Sequence, residues 1–170
     1  NQKHSKTFRY RYQLFKGGAV DSPVIVALPG GPGVTSISAN PASFPMVGPG
    51  FNIIYTDQRG SGCNILEGKE VSDQAYSTEN FASDIIAIIK KENLKKYVLY
   101  GHSFGTVHAT VTASLIEQAR AHGEFINLPQ ALILEGIIGR YFKAGEALTA
   151  YQTSWNNVLD RLPEDVQVQL

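Results

Sequence analysis

Gly101-His102-Ser103-Phe104-Gly105 is the stretch whose residue types and spacing best suit covalent chemistry. It has the form G-x-S-x-G, with the apolar run Tyr97-Val98-Leu99-Tyr100 before it and a helical stretch from about Thr106 to Arg120 after it. A serine hydroxyl is a weak nucleophile until a base takes its proton. On a sharp strand-to-helix turn its oxygen projects above the sheet, and the helix N-terminus points at the developing oxyanion. Gly101 and Gly105 let neighbouring segments pack closely around such a turn. The plainer alternative is a Gly-rich turn with an incidental serine, and the buried-type strand ahead of it weighs against that.

A nucleophilic serine in acyl transfer also needs two backbone N–H donors aimed at the oxyanion. The residue after the serine, Phe104, is expected to give one. Pro29-Gly30-Gly31-Pro32-Gly33 follows the apolar run Val24-Ile25-Val26-Ala27-Leu28, and Gly31 is expected to give the other, with Gly30, Pro32 and Gly33 as its framework. An ordinary Gly/Pro turn is the alternative. A third stretch, Asp57-Gln58-Arg59-Gly60-Ser61-Gly62, ends the expected strand at 51 to 56. Asp57 and Arg59 there read as a structural brace that orients loops by ion pairing.

These stretches need elements to position them. Phe8, Tyr10, Tyr12 and Leu14 alternate with polar residues, which predicts a half-buried strand ended by Gly17 and Gly18. Residues 24 to 28 are a continuous apolar run, as suits a strand buried on both faces of a parallel sheet, and residues 51 to 56 are the next strand. Residues 34 to 50 read as loop with one short helix. Ser77 or Thr78 can cap a helix reaching Asn93, with Phe81, Ile85, Ile88 and Ile89 on one face. Residues 97 to 100 and 131 to 134 are further strands. Tyr151, Trp155, Val158, Leu159 and Leu162 fall at helical spacing, so 145 to 162 is expected to be an amphipathic helix. Strands alternating with helices predict an α/β fold with a mostly parallel sheet and helices on both faces.

The bulk properties set limits. The chain has 170 residues, 43% of them hydrophobic, enough for one domain with a core. Lys+Arg and Asp+Glu are 15 each. That zero balance offers no electrostatic footprint for nucleic acid or an anionic membrane. No apolar run approaches the roughly 20 residues of a membrane helix. The single Cys63 cannot form an internal disulfide, which leaves the compartment open. Histidine spacing and one cysteine give no metal site, and no cofactor motif stands out.

Taken in order, Pro29-Gly30-Gly31-Pro32-Gly33, Asp57-Gln58-Arg59-Gly60-Ser61-Gly62 and Gly101-His102-Ser103-Phe104-Gly105 resemble the prolyl aminopeptidase (proline iminopeptidase) family of α/β-hydrolases. That family shows His-Gly-Gly-Pro-Gly, then Asp-Gln-Arg-Gly-x-Gly, then the serine turn. The resemblance covers roughly residues 24 to 140. It implies an α/β-hydrolase fold and a serine hydrolase releasing N-terminal residues from peptides, with a helical cap after the sixth strand. Pro29 stands where the family has His, Cys63-Asn64 replaces Arg followed by Ser or Thr, and His102 and Phe104 replace Gly and Trp. Related peptidases and esterases share the remaining pattern.

In such hydrolases the acid and the histidine follow the serine along the chain. His4 and His102 precede Ser103, His108 lies on the helix just after it, and His122 is expected at the far end of the sheet. None is expected to be the base, and Glu135 reads as a loop brace rather than the acid. The expectation is therefore an N-terminal part of the fold, with residues 1–140 in the core, 141–170 opening the cap, and the remaining strands supplied elsewhere. The expected partner is a small peptide or ester.

Two rivals stand beside this reading. A dinucleotide-binding unit would use the Gly-rich loop and Asp57, but Gly31-Pro32-Gly33-Val34-Thr35-Ser36 lacks the third glycine, and Pro41 and Pro45 interrupt the required helix. A non-catalytic binding module on the same fold would keep the turn and lack the base.

Overall fold

The structure, a computed structural model, describes residues 9–36, 50–66, 73–137 and 153. Its centre is β2 (Val24–Leu28), the apolar run VIVAL. Such a run has no polar side to turn to water, so it must be flanked and covered. It pairs in parallel with β3 (Asn52–Thr56) on one side and β4 (Tyr97–His102) on the other. β1 (Tyr12–Lys16) adds antiparallel to β3, and β5 (Ala131–Glu135) adds parallel to β4. The order is β1-β3-β2-β4-β5, a mostly parallel sheet.

Two helices connect the strands. α1 (Thr78–Lys91) begins at Ser77, whose hydroxyl accepts from the Asn80 N–H at 3.2 Å. That cap satisfies one of the orphan donors of the first turn. Phe81, Ile85, Ile88 and Ile89 form its buried stripe, as the spacing predicts. α2 (Gly105–Ala121) buries small residues, Ala109 and Thr112, together with Ile116. Both helices pack with Val26, Leu28, Ile54, Tyr97 and Leu99 into one core. Each such fully buried aliphatic side chain contributes about 1.5–3 kcal/mol relative to exposure. Ala27, Ile53 and Tyr55 form a second buried cluster on the opposite face, with Ile25 and Tyr100 against it. The expectation of helices on that face as well lies outside the described residues.

β1 differs from the expected span. The ladder runs from Tyr12↔Thr56 to Lys16↔Asn52, and Leu14 and Phe15 are exposed. Its start is set by a side chain. Asn64 accepts from the Arg11 N–H at 2.7 Å and donates to the Arg11 carbonyl at 2.9 Å. The Tyr10 hydroxyl donates to the Asp57 carbonyl at 2.5 Å. Asn64 thus takes the bonds a strand neighbour would make, and the ladder begins one residue later.

The chain divides into two units, residues 1–138 and 139–170. The expected short helix within 34 to 50 falls largely outside the described residues. So does the expected helix at 145–162, apart from Thr153, which is helical. Among the described residues no helix is long and apolar enough to cross a membrane.

Candidate active site

The connection leaving β2 leads to β3 on one side, while the connection leaving β4 leads through α2 to β5 on the other. Between β2 and β4 the outgoing loops diverge, and ligands of open α/β sheets bind in that crevice at the carboxyl ends of the strands. Ser103 and the Gly30–Gly31 loop both sit there.

Ser103 has φ 51, in the left-handed region that a residue with a Cβ visits at a cost of roughly 1–2 kcal/mol. The surroundings hold it there. Its N–H donates to the Glu135 carbonyl at 2.7 Å, tying the turn to the end of β5. Its carbonyl accepts from the Thr106 N–H at 2.9 Å and the Thr106 hydroxyl at 2.7 Å, starting α2. The tightness needs glycine on either side. A Cβ on Gly105 would lie 2.1 Å from the Leu28 carbonyl oxygen, and one on Gly101 would lie 2.4 Å from the Gly105 carbonyl oxygen. A Cβ on Gly30 would meet the Ser103 Cβ at 3.0 Å, so the β2 loop rests directly on the serine turn.

Past Gly30 the loop turns sharply. Gly31 has φ 114, the Gly31–Pro32 peptide is cis, and Gly33 has φ 93. Gly31, Pro32 and Gly33 are exposed. Among the described residues neither the Gly31 N–H nor the Phe104 N–H has an acceptor. Phe104 caps α2 without a side-chain bond. The structure thus brings together the serine, the Gly-rich loop and the helix start that the sequence singled out.

The Asp57-Gln58-Arg59 stretch lies at the carboxyl end of β3. Asp57 is buried and accepts from the Ser36 N–H at 2.6 Å and the Cys63 N–H at 3.3 Å. Through these backbone donors it braces the loops at residues 36 and 63. Gln58 is buried too, with side-chain bonds to Pro29, Gly30 and Gly33. Arg59 does form an ion pair, with Asp84 of α1, at 2.5 and 2.8 Å through two nitrogens. Burial pushes the Asp84 carboxyl up, and Arg59 pulls it back down. Asp84 escaped the sequence reading, although a carboxylate between Phe81 and Ile85 on a helix is a signal for a partner.

The histidines occupy other places. His102 is exposed at the end of β4. His108 is buried, edge-on to Phe81 at 4.4 Å and to Phe104 at 4.8 Å between ring centroids. Burial lowers its imidazole to about 4. His122 caps the far end of α2, its Nδ1 against the Gln118 carbonyl at 2.7 Å. His4 lies outside the described residues. Among the described residues no side chain bonds to the Ser103 hydroxyl. The Glu135 carboxylate accepts from the Tyr100 hydroxyl, which burial, and then this bond, push up to about 12. No group of three or more potential metal ligands gathers among the described residues.

A hollow of about 530 Å³ opens at the other end of the sheet, lined by Lys16, Asp21, Val24, Asn52 and Lys96 among others. It holds none of the residues at the carboxyl ends of the parallel strands. Chemistry rather than cavity size therefore selects the site.

Comparison with known proteins agrees with this fold. The family described as alpha/beta hydrolase fold matches residues 23–122. A proline iminopeptidase-related protein from Thermus thermophilus is similar at 22% identity and TM-score 0.55, over 75% of this chain and 44% of that one. VinJ is similar at 21% identity and TM-score 0.63, over 95% of this chain and 50% of its own. A marine microorganism esterase is similar at 19% identity and TM-score 0.56, over 92% and 52%. The chain spans about half the length of these solved structures. A search of curated proteins finds no match. With the family pattern covering its core strands, both helices and the serine turn, this chain belongs to the α/β-hydrolase fold family.

Proposed function

We propose that this chain carries the nucleophile and oxyanion hole of a serine hydrolase. Ser103 Oγ bonds to the acyl carbon of a substrate while its proton passes to a base. The carbonyl oxygen becomes an oxyanion received by the Gly31 and Phe104 amides. The leaving group departs with a proton, and water then releases the acyl group from Ser103. The observation that carries this reading is Ser103 held at φ 51 with the Gly30 turn against it, and the Gly31 and Phe104 amides without acceptors among the described residues. Fixed donors at such a point stabilise charge without reorganising during reaction. The base and the acid belong, on this reading, to parts of the fold outside the described residues. Residues 141–170 open a helical cap.

The finer reading is a peptidase that releases N-terminal residues. The three motifs in their order support it, as does the likeness to a proline iminopeptidase-related protein. An esterase is the second reading. It is favoured by Pro29, His102, Phe104 and Cys63-Asn64, which depart from the peptidase pattern, and by the similar fold of a marine esterase. Assay of the complete gene product with proline p-nitroanilide and with p-nitrophenyl acetate separates them. The peptidase reading expects turnover of the anilide, reduced at least roughly 10⁴-fold in Ser103→Ala. Turnover of the ester alone selects the esterase. Failure of both substrates, with no fluorophosphonate adduct on Ser103, would overturn the hydrolase reading.

A further inference from the structure

We infer that Gln58 is the positioning residue of the oxyanion loop, fixing the Gly31 amide in place through its own amide; this rests on the hydrolase reading of Ser103. Gln58 is 6% exposed, so its amide must be satisfied within the protein. Its Nε2 donates to the Pro29 carbonyl at 3.2 Å and the Gly30 carbonyl at 3.1 Å. Its Oε1 accepts from the Gly33 N–H at 3.0 Å. One planar group thus holds the residues on both sides of Gly31. Two carbonyls on one side and an N–H on the other admit only one orientation of the amide.

The loop needs such a tether. It contains three glycines, the residue type that loses most freedom on ordering. Gly31 and Gly33 both have positive φ. Among the described residues no backbone–backbone bond closes the loop between Pro29 and Gly33. Gln58 is itself anchored, because its carbonyl accepts from the Ser61 N–H at 3.1 Å and the Ser61 hydroxyl at 2.9 Å. Its neighbours Asp57 and Arg59 fix the same segment to residues 36 and 63 and to α1. Each of the three side chains therefore ties the end of β3 to a different segment, and the one that holds the glycine loop is the glutamine. Among the described residues the Gly31 amide has no acceptor, while both its flanks are held. That arrangement suits a donor kept ready for a transient oxyanion, since a misplacement of about 1 Å can cost roughly 10²-fold in rate.

The test compares wild type with Gln58→Glu and Gln58→Met in the complete gene product. Glu keeps the length but loses both donors, and Met keeps the volume but loses every hydrogen bond. The readouts are the phosphonylation rate with a fluorophosphonate, KM and kcat on a cleavable ester, and the melting temperature. In phosphonylation the Ser103 Oγ–P bond forms, the P–F bond breaks, and fluoride leaves as the serine proton passes to the base. The inference expects phosphonylation and kcat to fall about 10²-fold in both variants, with KM within about 3-fold and folding retained. Folded variants that react at the wild-type rate would overturn it. Where a variant fails to fold, amide exchange in wild type decides: Gly33 should be protected and Gly31 should exchange freely. Unprotected Gly33 would overturn the inference. Absence of phosphonylation in wild type itself would instead reject the hydrolase reading, and the Gly33 exchange would still report whether Gln58 holds the loop.

Discussion

Ser103 has a conformation that its own side chain disfavours, and two substitutions separate the strain from the chemistry. Ser103→Ala keeps a Cβ at φ 51, whereas Ser103→Gly removes it. Both should abolish Ser103-dependent reaction, and the glycine variant should be about 1 kcal/mol more stable than the alanine variant. Urea unfolding of the pair checks this, and equal stability would argue against a strained turn. Gly105 behaves in the opposite sense. Its added Cβ would lie 2.1 Å from the Leu28 carbonyl oxygen, a backbone atom that cannot step aside, so Gly105→Ala should cost about 1–3 kcal/mol. His108 makes a pH prediction. Burial lowers its pKa to about 4, so between the ordinary value of 6.5 and about 4 the unfolded chain binds more protons than the folded one. Stability present above pH 6.5 should therefore fall as pH drops through that window, by up to roughly 3 kcal/mol. His108→Phe should flatten that part of the urea-midpoint profile against pH. At this scale the serine and its glycines were legible because each answers a steric need printed in local sequence. The partners of Arg59 and His108 were not, because a side chain's neighbours across the fold leave no mark on spacing.

The elements were legible where burial dictates composition. β2 lies inside the sheet, so its apolar run marks its bounds closely. α1 shows its buried stripe and its Ser77 cap in the sequence, and the structure keeps both. β1 was misplaced at its start because Asn64, more than 50 positions away, supplies the bonds at Arg11. The link between elements that matters most for the loops is Arg59 with Asp84, whose side chains are 18% and 11% exposed. Removing one partner of such a pair strands the other charge. Arg59→Met alone should cost about 2 kcal/mol, and adding Asp84→Leu should recover most of it. A double-mutant cycle from urea midpoints measures this. Additive losses would mean that the pair acts through something other than its charges.

At the scale of the whole molecule, chain topology brings distant stretches to one sheet end. Residues 29–33, 57–59 and 101–105 share no local contact in sequence. They meet because β2, β3 and β4 are parallel neighbours whose carboxyl ends coincide. The order of the three motifs pointed to this arrangement, while the sharing of one face by α1 and α2 is seen only in the fold. The most direct test is a crystal structure of the complete protein after reaction with a fluorophosphonate. The account predicts phosphorus bonded to Ser103 Oγ, with one phosphoryl oxygen about 3 Å from both the Gly31 and Phe104 nitrogens. An adduct on another residue, or an oxygen turned away from both amides, would contradict it.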